Sequence, residues 1–219
     1  MLETTRLRRV AISREVSYNG SMDIPLTKLQ RDIVIGTILG DGCIVLRYAN
    51  GILKIKQSER HKEYVFWLYE KLRNLCVSFP KQRKDNNQWY FDTQSMQEFT
   101  NFRHLFYPDG KKIIPKNISN LLISPLSLAI WYMDDGTLDY RPKDHFAFYL
   151  TTHSFSVKDT YRLVKALREN FGIESAVFNN LIRGKRYSRI YIGIKGRERF
   201  VKVINPYILN CFKHKLPPL

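Results

Sequence analysis

Along the chain, apolar positions fall first at helical spacing and then at every second residue, and that succession runs through twice. The first pass starts at Thr27 with Gln30 three residues on, the spacing of a capping box, which predicts a helix start. The apolar stretch 33–39 follows and stops at Gly40-Asp41-Gly42. Two short alternating runs, 43–48 and 52–57, flank Ala49-Asn50-Gly51, and Asn-Gly between such runs predicts a hairpin turn. An amphipathic helix is expected over 61–76, with Tyr64, Trp67, Leu68, Leu72 and Leu75 as its apolar residues. A second hairpin, 79–83 with 88–92, turns at Asp85-Asn86-Asn87. A helix capped by Ser95, with Glu98 three residues on, precedes the closing segment Lys111-Lys112-Ile113-Ile114-Pro115.

The second pass opens at Ser124-Pro125, a cap followed by proline at the first helical position, and its helix ends in Asp134-Asp135-Gly136. A strand over 145–152 leads to a helix capped by Ser156 and running to 170. Strands 174–179 and 189–193 are expected to join through the basic loop Arg183-Gly184-Lys185-Arg186, and a last helix starts near Arg197 and leads to Lys215-Leu216-Pro217. Each pass reads helix, hairpin, helix, hairpin, helix, and each closes on a lysine shortly before a proline. The expected organisation is a basic extension over 1–25, carrying Arg6, Arg8, Arg9 and Arg14, and two similar halves over 26–120 and 121–219. The fold class is α+β.

Composition narrows the function. With 44% hydrophobic residues the chain can bury a core in each half. Its longest apolar run, 33–39, falls far short of the roughly 20 residues that span a bilayer. The N-terminus has charges with no apolar stretch behind them, unlike a secretory signal. Cys43, Cys76 and Cys211 are too few and too scattered for a disulfide framework or a zinc cluster, and suit a reducing compartment. Against 20 Asp and Glu stand 36 Lys and Arg, a net charge of +16. Such an excess favours a polyanion, and its interleaving with aromatic residues in strand-like segments points to nucleic acid.

Two apolar helices ending in Asp-Gly carry the candidate chemistry. Asp41 and Asp135 stand at equivalent points of the halves, each at the negative end of a helix dipole. Brought together, the two carboxylates would repel, and a bound divalent cation relieves that; Mg²⁺ is commonly held by one or two carboxylates plus water and phosphate. Gly36 and Gly40, four residues apart, leave one helix face bare for close approach.

These residues resemble a known family. Val34-Ile35-Gly36-Thr37-Ile38-Leu39-Gly40-Asp41-Gly42 is similar to the first motif of the LAGLIDADG endonucleases, and Leu128-Ala129-Ile130-Trp131-Tyr132-Met133-Asp134-Asp135-Gly136 to the second. Thr151-Thr152-His153-Ser154-Phe155-Ser156 and Lys213-His214-Lys215-Leu216-Pro217 also look like the two-motif, single-chain branch that includes yeast mitochondrial intron-encoded endonucleases. The resemblance spans about residues 26–217. It departs at Ile130, where the motif has glycine, and at Asp134, an extra acid.

The resemblance implies two motif helices packed at the centre and two curved antiparallel sheets forming a saddle on double-stranded DNA. It implies a monomer, since one chain holds both acids. It implies hydrolysis of one phosphodiester per strand of a long asymmetric site, across the minor groove, leaving 3′ overhangs. Asp41 and Asp135 would bind Mg²⁺ beside the scissile phosphates, with Gly40 and Asp134 alongside; Mn²⁺ would substitute and Ca²⁺ would support binding without cleavage. Lys112 and Lys215 would organise water or phosphate charge, Gln57 would bind water, and His153 is a candidate general base. DNA contacts are expected from Arg47, Tyr48, Lys54, Lys56, Arg83, Lys84, Gln88 and Tyr90 in the first half. In the second half they are expected from Arg183, Lys185, Arg186, Tyr187, Arg189 and Tyr191.

Two readings compete on the same fold: an RNA maturase that binds intron RNA, and a DNA-binding regulator. Loss of a motif acid is common in maturases, and both acids are present here. A regulator would be expected to append a helix-turn-helix, for which no room remains before Leu219. A Cas-type or restriction nuclease would want a Pro-Asp…Asp/Glu-x-Lys pattern, which is not found. An intracellular setting is expected, in an organelle or a bacterial or archaeal cytoplasm, with no membrane partner.

Overall fold

The computed structural model describes residues 25–141, 145–182 and 185–218. In the first half, α1 (Lys28–Leu39) is followed by β1 (Cys43–Arg47), β2 (Asn50–Gln57), α2 (Lys62–Leu72), β3 (Lys81–Gln82), β4 (Trp89–Asp92), α3 (Gln97–Phe106) and the single turn α4 (Ile118–Leu121). The second half runs α5 (Pro125–Asp135), β5 (Gly136–Arg141), β6 (His145–Thr151), α6 (Val157–Phe171), β7 (Ala176–Ile182), β8 (Lys185–Ile192) and α7 (Arg197–Ile204). Two four-stranded antiparallel sheets result, ordered β1-β2-β4-β3 and β5-β6-β8-β7. The matching order gives the repeat a structural basis.

The anticipated capping box at α1 forms: Thr27 accepts from the Gln30 backbone N–H at 3.2 Å, and the Gln30 side chain accepts from the Thr27 N–H at 3.1 Å. Such a cap is worth about 1 kcal/mol. Ser156 caps α6 in the same manner, accepting from the Asp159 N–H at 3.1 Å. Helices α1 and α5 are buried around most of their circumference, from Ile33 to Leu39 and from Leu126 to Met133. Helices apolar on every side belong in the middle of a fold, and these two pack against each other there. Ser127 fastens the pair by donating to the Asp32 carbonyl at 2.7 Å.

Several local expectations are corrected. In the first hairpin Arg47 pairs with Asn50, so the turn is Tyr48-Ala49, and Tyr48 takes the left-handed φ of 56°. Asn50-Gly51 instead begins β2. A Cβ on Gly51 would lie 2.6 Å from the Phe99 carbonyl carbon, so this glycine permits α3 to press on the strand. Ser95 does not cap α3; the cap position falls to Met96 without a side-chain bond. Glu98 turns away to accept from the Leu26 N–H at 3.0 Å and to pair with Arg31. Helix α2 is shorter than 61–76 because 3₁₀ turns, Glu59–His61 and Arg73–Leu75, take up its ends. Strand β5 was not foreseen, since the chain passes from Asp135 directly into pairing with β6. Helix α4 was likewise unforeseen. Strands β7 and β8 pair up to Ile182 and Lys185, so Lys185 and Arg186 belong to a strand and not to a loop. Residues 1–24, with the four arginines of the expected extension, lie outside the described residues, as does Arg183.

Candidate active site

Helix α1 ends at Gly40, and the Gly42 N–H closes it by donating to the Thr37 carbonyl at 2.8 Å. That closure delivers Asp41 to the gap between the sheets, where it is exposed. Helix α5 brings Asp134 and Asp135, both half-buried, to the same place. The two helix ends interlock. Asp134 Oδ2 accepts from the Asp41 backbone N–H at 3.2 Å, and Gln57 Nε2 donates to Asp41 Oδ2 at 2.9 Å and to Asp134 Oδ1 at 3.2 Å.

A lysine sits at each helix end. Lys112 Nζ donates to the Gly40 and Gly42 carbonyls, both at 3.0 Å, and Lys215 Nζ donates to the Met133 carbonyl at 2.6 Å. These ammonium groups meet helix C-terminal carbonyls, where the dipole favours positive charge. Burial lowers the pKa of both lysines, against the opposing pull of the three aspartates.

Burial, reinforced by the charge of Asp41, pushes the Asp135 carboxyl up to about 7, with Lys112 and Lys215 pulling the other way. The same two causes hold Asp134 well above the usual carboxylate range. Beneath it the buried Tyr64 hydroxyl lacks a partner of good hydrogen-bond geometry. Its proton is held tightly by burial and by the charge of Asp134.

A hollow opens beside each motif acid. One of about 720 Å³ is lined by Asp41, Cys43, Lys54, Lys56, Arg83 and Tyr90. The other, about 420 Å³, is lined by Asp134, Asp135, Thr137, Thr151, His214 and Lys215. Paired acids, paired lysines and paired hollows thus follow the repeat of the fold. The profile of the LAGLIDADG DNA endonuclease family matches residues 31–200. The chain belongs to this family.

It is 28% identical over 210 residues to DNA endonuclease I-ChuI of Chlamydomonas applanata, covering 87% of this chain and 95% of that protein. It is 29% identical over 204 residues to the cytochrome b mRNA maturase bI2 of Debaryomyces hansenii, covering 88% of this chain and 75% of that protein. Among solved structures, the homing endonuclease I-WcaI bound to its DNA recognition sequence superposes with a TM-score of 0.75 at 28% identity. That match covers 88% of this chain and 87% of the other. Two LAGLIDADG halves in one chain, each with its antiparallel sheet, are thereby shown.

Most of the expected LAGLIDADG site residues meet: Asp41, Asp134, Asp135, Gln57, Lys112 and Lys215 lie together. The Gly40 carbonyl, counted among the metal-site atoms, is occupied by Lys112. Gln57 is committed to the two acids through its amide nitrogen. His153 is not its counterpart. Cys43 pairs with Lys54 as Thr137 pairs with Tyr149, so counting from the shared Asp-Gly matches Gln57 with Thr152. Thr152 is buried and donates to the Ser188 carbonyl at 2.7 Å. His153 is exposed one residue further, its ring 4.9 Å from Tyr187, and hydrogen-bonds neither acid. Its pKa is lowered by burial and then by Arg189.

On the first sheet, Lys56 and the tip residues Arg47 and Tyr48 are exposed, and Lys54 pairs with Asp92 at 3.4 Å. Arg83 is held by Asp85 at 2.8 Å; Lys84 beside it is exposed, and Gln88 and Tyr90 are half-buried. On the second sheet, Arg189 lies over the Tyr149 ring at 4.7 Å, with Tyr191 5.3 Å from that ring and Tyr187 half-buried. The side chains of Lys185 and Arg186 lie outside the description. Sequence reasoning passed over Tyr64, which reads as an ordinary core residue of an amphipathic helix. It also passed over His61, whose pKa is lowered by burial and by Lys215, and over the asymmetry that Asp134 introduces.

Proposed function

We propose that the chain is a monomeric site-specific endonuclease that hydrolyses one phosphodiester on each strand of a long asymmetric DNA duplex, leaving 3′ overhangs. The observation that supports this most is the meeting of Asp41 and Asp135, one from each half, each beside a hollow, the first lined by Lys54, Lys56 and Arg83 and the second by His214 and Lys215. The donor set fits a hard cation: it is all oxygen, and burial together with the charge of Asp41 raises Asp134 and Asp135, a penalty that a bound cation would relieve. Two carboxylates fill only part of a cation's shell, so water and phosphate oxygens would complete it. Asp41 and Asp135 would hold Mg²⁺ or Mn²⁺, which when bound supplies an activated water and offsets charge on the leaving oxygen. Lys112 and Lys215 fix the carbonyls that flank the acids and bring positive charge near the phosphates. The strand residues of both sheets grip phosphates and read base edges along residues 26–120 and 121–219. An intracellular, organellar setting suits a chain with relatives named intron-encoded endonuclease and mRNA maturase.

The maturase relative favours a second reading, an intron RNA cofactor on the same scaffold. Cleavage of a library of long duplexes with Mg²⁺, comparing the parent chain with Asp41→Asn and Asp135→Asn, separates the two. Double-strand cuts with 3′ overhangs, lost in either variant while binding in Ca²⁺ persists, are the expected result. Tight binding without cutting any duplex would overturn it in favour of RNA.

A further inference from the structure

Gly40 and Asp134 occupy the same position in the two motifs, directly before the motif acid. One position is bare and the other carries a carboxylate, and they face each other. A Cβ on Gly40 would lie 2.4 Å from both Asp134 Cβ and Asp134 Oδ2, so the Asp134 side chain fills the room that Gly40 leaves. From there it reaches across the helix interface. Its two oxygens accept from the Asp41 N–H and from Gln57 Nε2, and Gln57 in turn holds Asp41 Oδ2. Among the described residues nothing mirrors this around Asp135. The residue opposite is a glycine, and Thr152, which matches Gln57 by register, is buried and bonded to Ser188.

We propose that Asp134 is a positioning residue that acts from the second half on the first: with Gln57 it orients Asp41, and it leaves Asp135 to be held by other means. This rests on the nuclease reading above. Each Asp134 oxygen faces a donor, one on Asp41 and one on Gln57, and this points Asp134 at the first-half centre as a brace. The two cutting centres are therefore built differently, and the brace serves the strand that Asp41 serves.

The test uses a supercoiled plasmid carrying the target site, with each strand's cut read separately. Asp41→Asn first identifies the strand served by Asp41. Asp134→Asn keeps the shape but turns an amide donor toward one of two donors, and so loses one of the two bonds. It is expected to slow that strand by about tenfold or more, with the other strand within about threefold, so that nicked circles accumulate. Gln57→Ala should slow the same strand. Equal slowing of both strands, or loss of cutting on the Asp135 strand alone, would overturn the brace. A second readout does not depend on cutting: hydrogen exchange at the Asp41 amide should be slow in the parent chain and faster in Asp134→Asn. Unchanged exchange would refute the brace even in a chain that cuts nothing, whereas failure of the parent to cut refutes only the nuclease reading.

Discussion

Ile130 of the second motif helix fills the hollow over Gly36 of the first: a Cβ on Gly36 would come within 2.7 Å of Ile130 Cβ. The pair accounts for a departure that the motif leaves unexplained. Where two glycines could have met, one helix contributes the glycine and the other a side chain that fits over it. Close helix approach survives because only one partner has to be bare.

This contact should tolerate no added methyl. Gly36→Ala is expected to lower stability by about 1–3 kcal/mol through overpacking, and Ile130→Ala by about 2–5 kcal/mol through cavity formation. The new methyl would still meet the Ile130 Cβ, which alanine keeps, and the Ser127 carbonyl oxygen, both at 2.7 Å, so the double variant should be no more stable than Ile130→Ala alone. Urea unfolding of the four chains measures this, and a double variant more stable than Ile130→Ala would contradict the packing.

Metal-free stability should fall as pH rises toward neutrality. Asp135 holds its proton in the fold up to about 7, whereas the unfolded chain releases it near the ordinary carboxylate value. Between about pH 4 and 7 the native state therefore binds the proton that the unfolded state has lost, and stability drops with pH across that window. Asp134, raised by the same causes, contributes with the same sign. Comparing melting temperatures of the parent and Asp135→Asn from pH 5 to 7.5 isolates the term, since the variant should show the shallower fall. Mg²⁺ should stabilise the parent more at pH 7.5 than at pH 5, because the ligand form is the deprotonated one.

Lys112 and Lys215 should matter to cleavage as well as to folding. Burial lowers the pKa of both, and each ammonium holds carbonyls at a helix end. Lys112→Met and Lys215→Met are each expected to slow cutting by about a hundredfold. Each variant leaves helix-end carbonyls without their ammonium donor, so the denaturation midpoints should correspond to losses of about 1–3 kcal/mol. Arginine should not rescue either position, because a guanidinium cannot enter where a single ammonium meets the carbonyls. Single-turnover kinetics beside urea melts would reveal a purely structural role as parallel losses.

The first hairpin offers a test of where its turn lies. Tyr48 is held at φ 56° and is almost wholly exposed, so Tyr48→Gly should relieve strain of about 1 kcal/mol and stabilise the fold. Gly51→Ala should destabilise by about 2 kcal/mol or more, since its Cβ would strike the Phe99 backbone. The opposite ranking in thermal melts would restore Asn50-Gly51 as the turn.

Much of this architecture was legible because it rests on local rules. The capping box at Thr27, the cap at Ser156, the proline after Ser124, and the apolar runs ending in Asp-Gly act over a few residues, and they hold in the fold. Local rules failed where another segment had a stronger claim. Asn50-Gly51 has the composition of a turn, but α3 needed the bare backbone of Gly51. Ser95 and Glu98 have the spacing of a cap, but Glu98 was drawn to Leu26 and Arg31 across the fold. The resemblance offered His153 beside Gln57 as a site residue, and strand register gives the place matching Gln57 to the buried Thr152, one residue earlier. A single step along a strand exchanges one face for the other.

By itself the sequence determined that there are two halves, that each presents an acid at the end of an apolar helix, and that a lysine follows each half at a matching place. Those features are written in periodicity and charge, which a chain carries before it folds. Only the tertiary structure decided that Asp134 reaches across to Asp41, that Gln57 joins them, and that among the described residues no such brace stands at Asp135. Those relations depend on how two helices, far apart in the chain, cross and fill each other's gaps. Packing complementarity of that kind is a property of pairs of surfaces, and no single segment specifies it.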